Sequence, residues 1–108
     1  MIYEYRAYTC FPGRLPALLS RFENVTLGFW EKYGIRQAGF WTTEIGQSNQ
    51  VLHYLLQWES MAEREQKWGA FQADPEWNAA RAASETPEKI VQDIRNEFWK
   101  PAAFSSVQ

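Results

Sequence analysis

Four side chains carry most of the chemistry this 108-residue sequence could perform: His53, Glu44, Arg6 and Tyr8. His53 is the single histidine, and imidazole is the side chain that exchanges a proton near neutral pH with least perturbation. It lies in the stretch Gly39 to Trp58, where two β-rich runs flank a polar loop at Gly46 to Asn49 and predict a hairpin. With Ile45 facing Gln50, alternation pairs Glu44 with Val51, Thr42 with His53 and Phe40 with Leu55 on one face. Arg6, Tyr8 and Glu4 share a face of the first strand, and become neighbours of His53 if the first and third strands pair. Such a group could orient a substrate or move a proton. His53 would exchange the proton, Glu44 would orient the ring, and Arg6 and Tyr8 would hold an anionic or enolic oxygen. The same residues could instead form a hydrogen-bonded polar core or a dimer contact that sets strand register. The sequence leaves both open.

Aromatic residues make up 17% of the chain, with six tryptophans, which exceeds what a small core needs and suits pockets and interfaces. Trp41, Tyr54, Trp58, Trp68 and Trp77 are the candidates to line a cavity between sheet and helices, against plain core filling. There is no nucleophile elbow, phosphate loop, dinucleotide fingerprint or helical histidine pair. One cysteine, Cys10, excludes an internal disulfide, and no Cys/His cluster suggests a metal. No cofactor is expected; haem usually wants an axial histidine, and a lone His53 inside a strand offers little. A net charge of −2 gives no footprint for nucleic acid or anionic membrane. The first residues lack a signal-peptide layout, so the expected location is the cytoplasm.

These residues need a scaffold, and the chain supplies it as one domain over residues 1–108. Ile2 to Cys10 reads as a strand, with Tyr3, Tyr5 and Ala7 on one side and Ile2, Glu4, Arg6 and Tyr8 on the other. A helix from near Gly13 to Tyr33 follows, its apolar stripe made by Leu15, Leu18, Leu19, Phe22, Phe29, Trp30 and Tyr33. Arg14, Arg21, Glu23, Glu31 and Lys32 fit its solvated side. Ser60 with Glu63 forms a capping box for a second helix whose inward side is Met61, Trp68 and Phe71. Asp74-Pro75-Glu76 restarts a short helix that finishes near Ala83. Ile90 to Lys100 is a charged edge strand, and 101–108 is a tail in which only Phe104 looks able to anchor.

The order predicts an α+β, ferredoxin-like βαββαβ fold, a four-stranded antiparallel sheet with helices on one face. The hairpin is apolar or aromatic on both faces, unlike a half-solvated sheet. The helices cover one face only, so a second copy of the chain is expected on the other.

The strand Tyr5-Arg6-Ala7-Tyr8-Thr9, the hairpin Gly39-Phe40-Trp41-Thr42-Thr43-Glu44-Ile45-Gly46 with Asn49-Gln50-Val51-Leu52-His53, and Asp74-Pro75-Glu76-Trp77 with Arg64 resemble the NIPSNAP family. The resemblance spans nearly the whole chain. It implies the dimeric α+β barrel, in which two such sheets pack face to face, and it implies little chemistry, since small family members mostly lack an assigned activity. Two functions compete: a homodimer with an apolar pocket for a small organic molecule, capable of cofactor-independent chemistry, and an adaptor dimer that recruits proteins. RNA binding is disfavoured by the third strand, which lacks the basic-Gly-aromatic signature.

Overall fold

The computed structural model describes residues 1–108. Strands β1 (Ile2–Cys10), β2 (Arg36–Thr42), β3 (Val51–Trp58) and β4 (Val91–Trp99) form one antiparallel sheet in the order β2-β3-β1-β4. This is the expected ferredoxin-like arrangement. Helical segments α1 (Leu15–Arg21) and α2 (Leu27–Tyr33) lie between β1 and β2; α3 (Met61–Gln72) and α4 (Pro75–Ser84) lie between β3 and β4.

The periodicity of β3 shows which face the helices take. Leu52, Tyr54, Leu56 and Trp58 are at most 1% exposed, whereas Val51, His53, Leu55 and Gln57 between them are half-buried. The first set packs with Leu18, Phe22, Trp30, Trp68, Phe71 and Trp77 from the helices in one aromatic core.

Local signals set the helix ends. The Ser60 hydroxyl accepts from the Glu63 N–H, and the Glu63 carboxylate reaches back one residue past the cap to accept from the Glu59 N–H, a variant of the capping box. Asp74 caps α4 by accepting from the Glu76 and Trp77 N–H groups, while its other oxygen takes Lys32 and Tyr33. Gly34, at φ 71°, ends α2 in the left-handed conformation.

Several sequence expectations are corrected. The helix from Leu15 to Tyr33 is interrupted by a π-helical turn at Phe22–Thr26, whose extra residue sets the buried positions at Leu18, Phe22, Thr26 and Trp30. Leu19 is 37% exposed, and Arg21, expected in solvent, is buried at 7%. Met61 is half exposed because it opens α3 beyond the core. Phe104 is exposed; the tail is held instead by Tyr3, whose hydroxyl donates to the Gln108 carbonyl.

The hairpin register also moves by one residue: Trp41 faces His53, Thr42 faces Leu52 and Phe40 faces Tyr54. β2 ends at Thr42, so the loop takes in Thr43 to Gln50, and the pairing shifts again between Gln37 and Phe40. Gly39 permits that irregularity at φ 117°, where a Cβ would lie 2.5 Å from the Trp41 ring. Gly39→Ala is therefore expected to destabilise the chain by more than about 1 kcal/mol, read as a lower urea midpoint. An unchanged midpoint would mean that β2 tolerates another path.

Candidate functional site

The helix face of β1 holds a buried polar network. Glu4 is 0% exposed, and its carboxylate accepts from Arg6 Nη1, both Nε and Nη2 of Arg64, Asn96 Nδ2 and Trp58 Nε1, at 2.9–3.3 Å. Burial pushes this carboxyl up, but the hydrogen bonds from Arg64 and Asn96 and the charges of Arg6 and Arg64 prevail and hold it below its usual value. Arg64 reaches across from α3 to make two of these bonds. Its spacing on α3 gives no hint of this, because the partner lies 60 residues away.

Arg6 extends the network. Its Nε donates to Tyr54 Oη at 2.8 Å and its Nη2 to Tyr8 Oη at 3.2 Å, while the Tyr54 hydroxyl donates to Tyr8 at 3.1 Å. The Trp68 ring stacks over the guanidinium with its centroid 4.6 Å away. Burial opposes the Arg6 charge, but Tyr54, Tyr8 and Glu4 more than offset it. Burial is also what raises the Tyr54 phenol well above its ordinary value.

Arg6 and Tyr8 line one wall of a cavity of about 860 Å³ between the sheet and the helices, within the size range of small-molecule sites. Trp30, Trp68, Phe71 and Trp77 form its aromatic body, and Arg21, Arg81, Glu85 and Asp93 lie along its length. Arg21 Nη1 donates to Ser84 Oγ and to Glu85 Oε2, both at 3.1 Å. Glu85 Oε1 accepts from the Ile90 and Val91 N–H groups and so ties the α4 end to β4. Three buried donors have no partner, namely Arg21 Nε, Trp30 Nε1 and Trp77 Nε1, and all three belong to residues lining this cavity.

The structure thus divides the residues singled out from the sequence. Arg6, Tyr8, Trp68 and Trp77 meet at the cavity. Tyr54 stands directly behind Arg6 and Tyr8, and Trp58 is sealed in the core with its indole N–H on Glu4. His53, Trp41 and Glu44 are elsewhere. β1 pairs Ala7 with His53 and Arg6 with Tyr54, so His53 shares the face of Tyr5 and Ala7, opposite the face that bears Arg6 and Tyr8. Trp41, paired with His53, follows it there and is 53% exposed. Glu44 lies in the exposed loop after β2; the ring is held instead by Tyr5 Oη, 2.7 Å from Nδ1, and Thr43 Oγ1, 3.0 Å from Nε2. Arg95 Nη2 reaches the same tyrosine oxygen at 3.4 Å, and His53, Thr43 and Arg95 edge a second, polar hollow of about 700 Å³ on the open face.

Arg21, Trp30, Arg81 and Glu85 were missed. The signal was thin: Arg21 sits one position from Phe22 on the apolar stripe, at the entry to a π turn that periodicity does not reveal. Cys10 is buried in the core, where burial pushes its thiol up to about 11, in keeping with a packing role.

A four-stranded sheet, helices on one face and a cavity between the two layers define the ferredoxin-like α+β class that dimeric α+β-barrel proteins share. A NIPSNAP family model matches residues 3–106, and the chain belongs to that family. Similar solved structures include an uncharacterized NIPSNAP domain protein from Burkholderia xenovorans, 26% identical over 97% of this chain and 98% of that one, with a TM-score of 0.84. Another is a NIPSNAP family protein of unknown function from Agrobacterium tumefaciens, 25% identical over 100% and 94% of the two chains, with a TM-score of 0.88. A mutant of MhuD with two manganese protoporphyrin IX bound per active site shares the fold at 16% identity, covering 94% of each chain, with a TM-score of 0.58. No curated protein matches the sequence. No helix is long and apolar enough to cross a membrane.

Proposed function

We propose that this NIPSNAP-family chain is a cytoplasmic homodimer that binds a small organic molecule in the cavity between the sheet and the helices of each subunit. The observation that carries this reading is the set of three unpartnered buried donors on residues that line one aromatic cavity. Buried donors are normally satisfied, and an orphaned one costs about 1–3 kcal/mol, so three around a single cavity favour an occupant that supplies the missing acceptors. Arg6 and Tyr8 remain the candidates to hold a ligand oxygen and to support cofactor-independent chemistry. His53 belongs to the open-face hollow, and any role for it would be played there.

The dimer is supported by the open face. Tyr5, Leu55, Trp41 and Trp99 give it apolar area without helical cover, and Arg95 and Glu97 on β4 can pair reciprocally across a two-fold axis.

Thermal-shift screening of small organic metabolites tests the pocket. A ligand present at a hundredfold its Kd is expected to add about 2.7 kcal/mol of stability. Ala82→Trp should abolish the shift, because Ala82 is exposed on α4 and lines the cavity without joining the core. If ligand-induced shifts are equal in the two proteins, the ligand sits elsewhere and the cavity loses its assignment.

A further inference from the structure

The polarity of the hydrogen bonds around the cavity specifies more than its size. The lining carries four basic side chains, Arg6, Arg21, Arg81 and Lys89, against two acidic ones, Glu85 and Asp93, a balance that favours an anion. Arg21 spends Nη1 on Ser84 and Glu85, and its Nε and Nη2 make no bond. Those two nitrogens form the side-on edge of the guanidinium, whose parallel N–H groups match the two oxygens of a carboxylate. The guanidinium lies over the Trp77 ring at 6.0 Å, so the edge borders an aromatic wall.

A second donor is fixed at Tyr8. Its oxygen accepts from Arg6 Nη2 and from the Tyr54 hydroxyl. Tyr54 is fully buried and Tyr8 is the only acceptor its hydroxyl meets, so its proton goes to Tyr8, whose own hydroxyl proton has no protein acceptor and is left for a ligand. Tyr54 lies behind Tyr8 and does not line the cavity. The network therefore presents one O–H donor to the cavity.

We propose that the cavity takes an aromatic carboxylate bearing a second oxygen acceptor, such as a 2-oxo acid. Its carboxylate pairs with the Nε edge of Arg21, and its second oxygen accepts the hydroxyl proton of Tyr8. This rests on the cavity being a ligand site and adds the class of ligand. The ring packs among Trp30, Trp68 and Phe71, which fits a flat body better than an aliphatic chain.

Three probes separate these contacts by calorimetry and tryptophan fluorescence: phenylpyruvate, 3-phenylpropionate (no keto oxygen) and 4-phenyl-2-butanone (no carboxylate). Phenylpyruvate is expected to bind most tightly, with the neutral ketone weaker by about tenfold or more, as the loss of a charged hydrogen bond implies. Arg21→Lys keeps the charge but loses the fork, and should weaken both acids about tenfold while leaving the ketone unchanged. Tyr8→Phe should erase the advantage of phenylpyruvate over 3-phenylpropionate and leave the latter's affinity alone. Amide spectra of both variants confirm the fold, and either variant alone suffices if the other is unstable.

Equal binding of the ketone and the acids, or Arg21→Lys with unchanged affinities, overturns the carboxylate assignment while the cavity stays a ligand site. Tyr8→Phe with the keto preference intact overturns the role of Tyr8. If no probe binds and no neutral ligand emerges from the thermal screen, the cavity reading itself falls.

Discussion

Replacing Glu4 with alanine is expected to cost about 3–5 kcal/mol of folding stability, the range seen when one partner of a buried ionic network is removed. The reason is the number of donors left behind. Arg6, Arg64, Asn96 and Trp58 all point at this one carboxylate, and without it the buried Arg6 and the half-buried Arg64 keep their charges with the compensation gone. Chemical denaturation reads the loss as a lower midpoint. The same carboxylate has a pH signature. Its folded pKa is below the ordinary value, so its contribution is fully present above the unfolded carboxyl pKa of about 4.3 and is lost as pH falls through the folded value. Glu4→Gln preserves the shape and some acceptor capacity but removes the titration, so its stability should fall less steeply in acid than that of the wild type. An unchanged midpoint in Glu4→Ala would mean that the network contributes nothing and that the sheet–helix layer is held by its aromatic core alone.

If the chain self-associates through its open face as proposed, Leu55→Arg is expected to leave a lone subunit of 12.7 kDa without unfolding it. Leu55 is half-buried, pairs with Tyr5 and lies on the face away from the helices, so a long cationic side chain there can reach water in the lone subunit. In a face-to-face dimer the same substitution occurs twice within one contact. It would bring two unpaired charges into an apolar contact, which costs several kcal/mol each after relaxation. Light scattering at micromolar concentration, with circular dichroism as a check on the fold, decides it. A wild-type chain that already scatters as one subunit would remove the dimer. A variant that remains dimeric would move the interface to another surface, such as the exposed side of β4.

The two experiments address opposite faces of one sheet, and the chain treats those faces differently. Toward the helices it places Glu4, Arg6, Tyr8 and Tyr54, each hydrogen-bonded to another, beside a cavity whose lining residues carry three unpartnered buried donors. Toward the open side it places His53, held by Tyr5 and Thr43, among half-exposed aromatics. A ligand site on the first face and a self-association surface on the second need not compete for the same residues.

By itself the sequence determined what local rules determine. Strand alternation put Glu4, Arg6 and Tyr8 on one side of β1, Ser60 and Asp74 announced their helices through side-chain caps, the order of elements led to the sheet topology, and the strand and hairpin motifs carried the resemblance to the family. Only the tertiary structure decided which of these residues share a site. Alternation orders the side chains within one strand but carries no register between strands, so an irregularity at Gly39 and a longer loop were enough to set His53 opposite Trp41. The β1–β3 pairing then put His53 and Arg6 on opposite faces, and no pattern in either strand could have shown it. Arg21 and Arg64 were hidden for a related reason. Their helical spacing reads as a polar flank, and only packing against Glu85 and Glu4, each about 60 residues away, draws Arg21 into the core and Arg64 part of the way out of solvent.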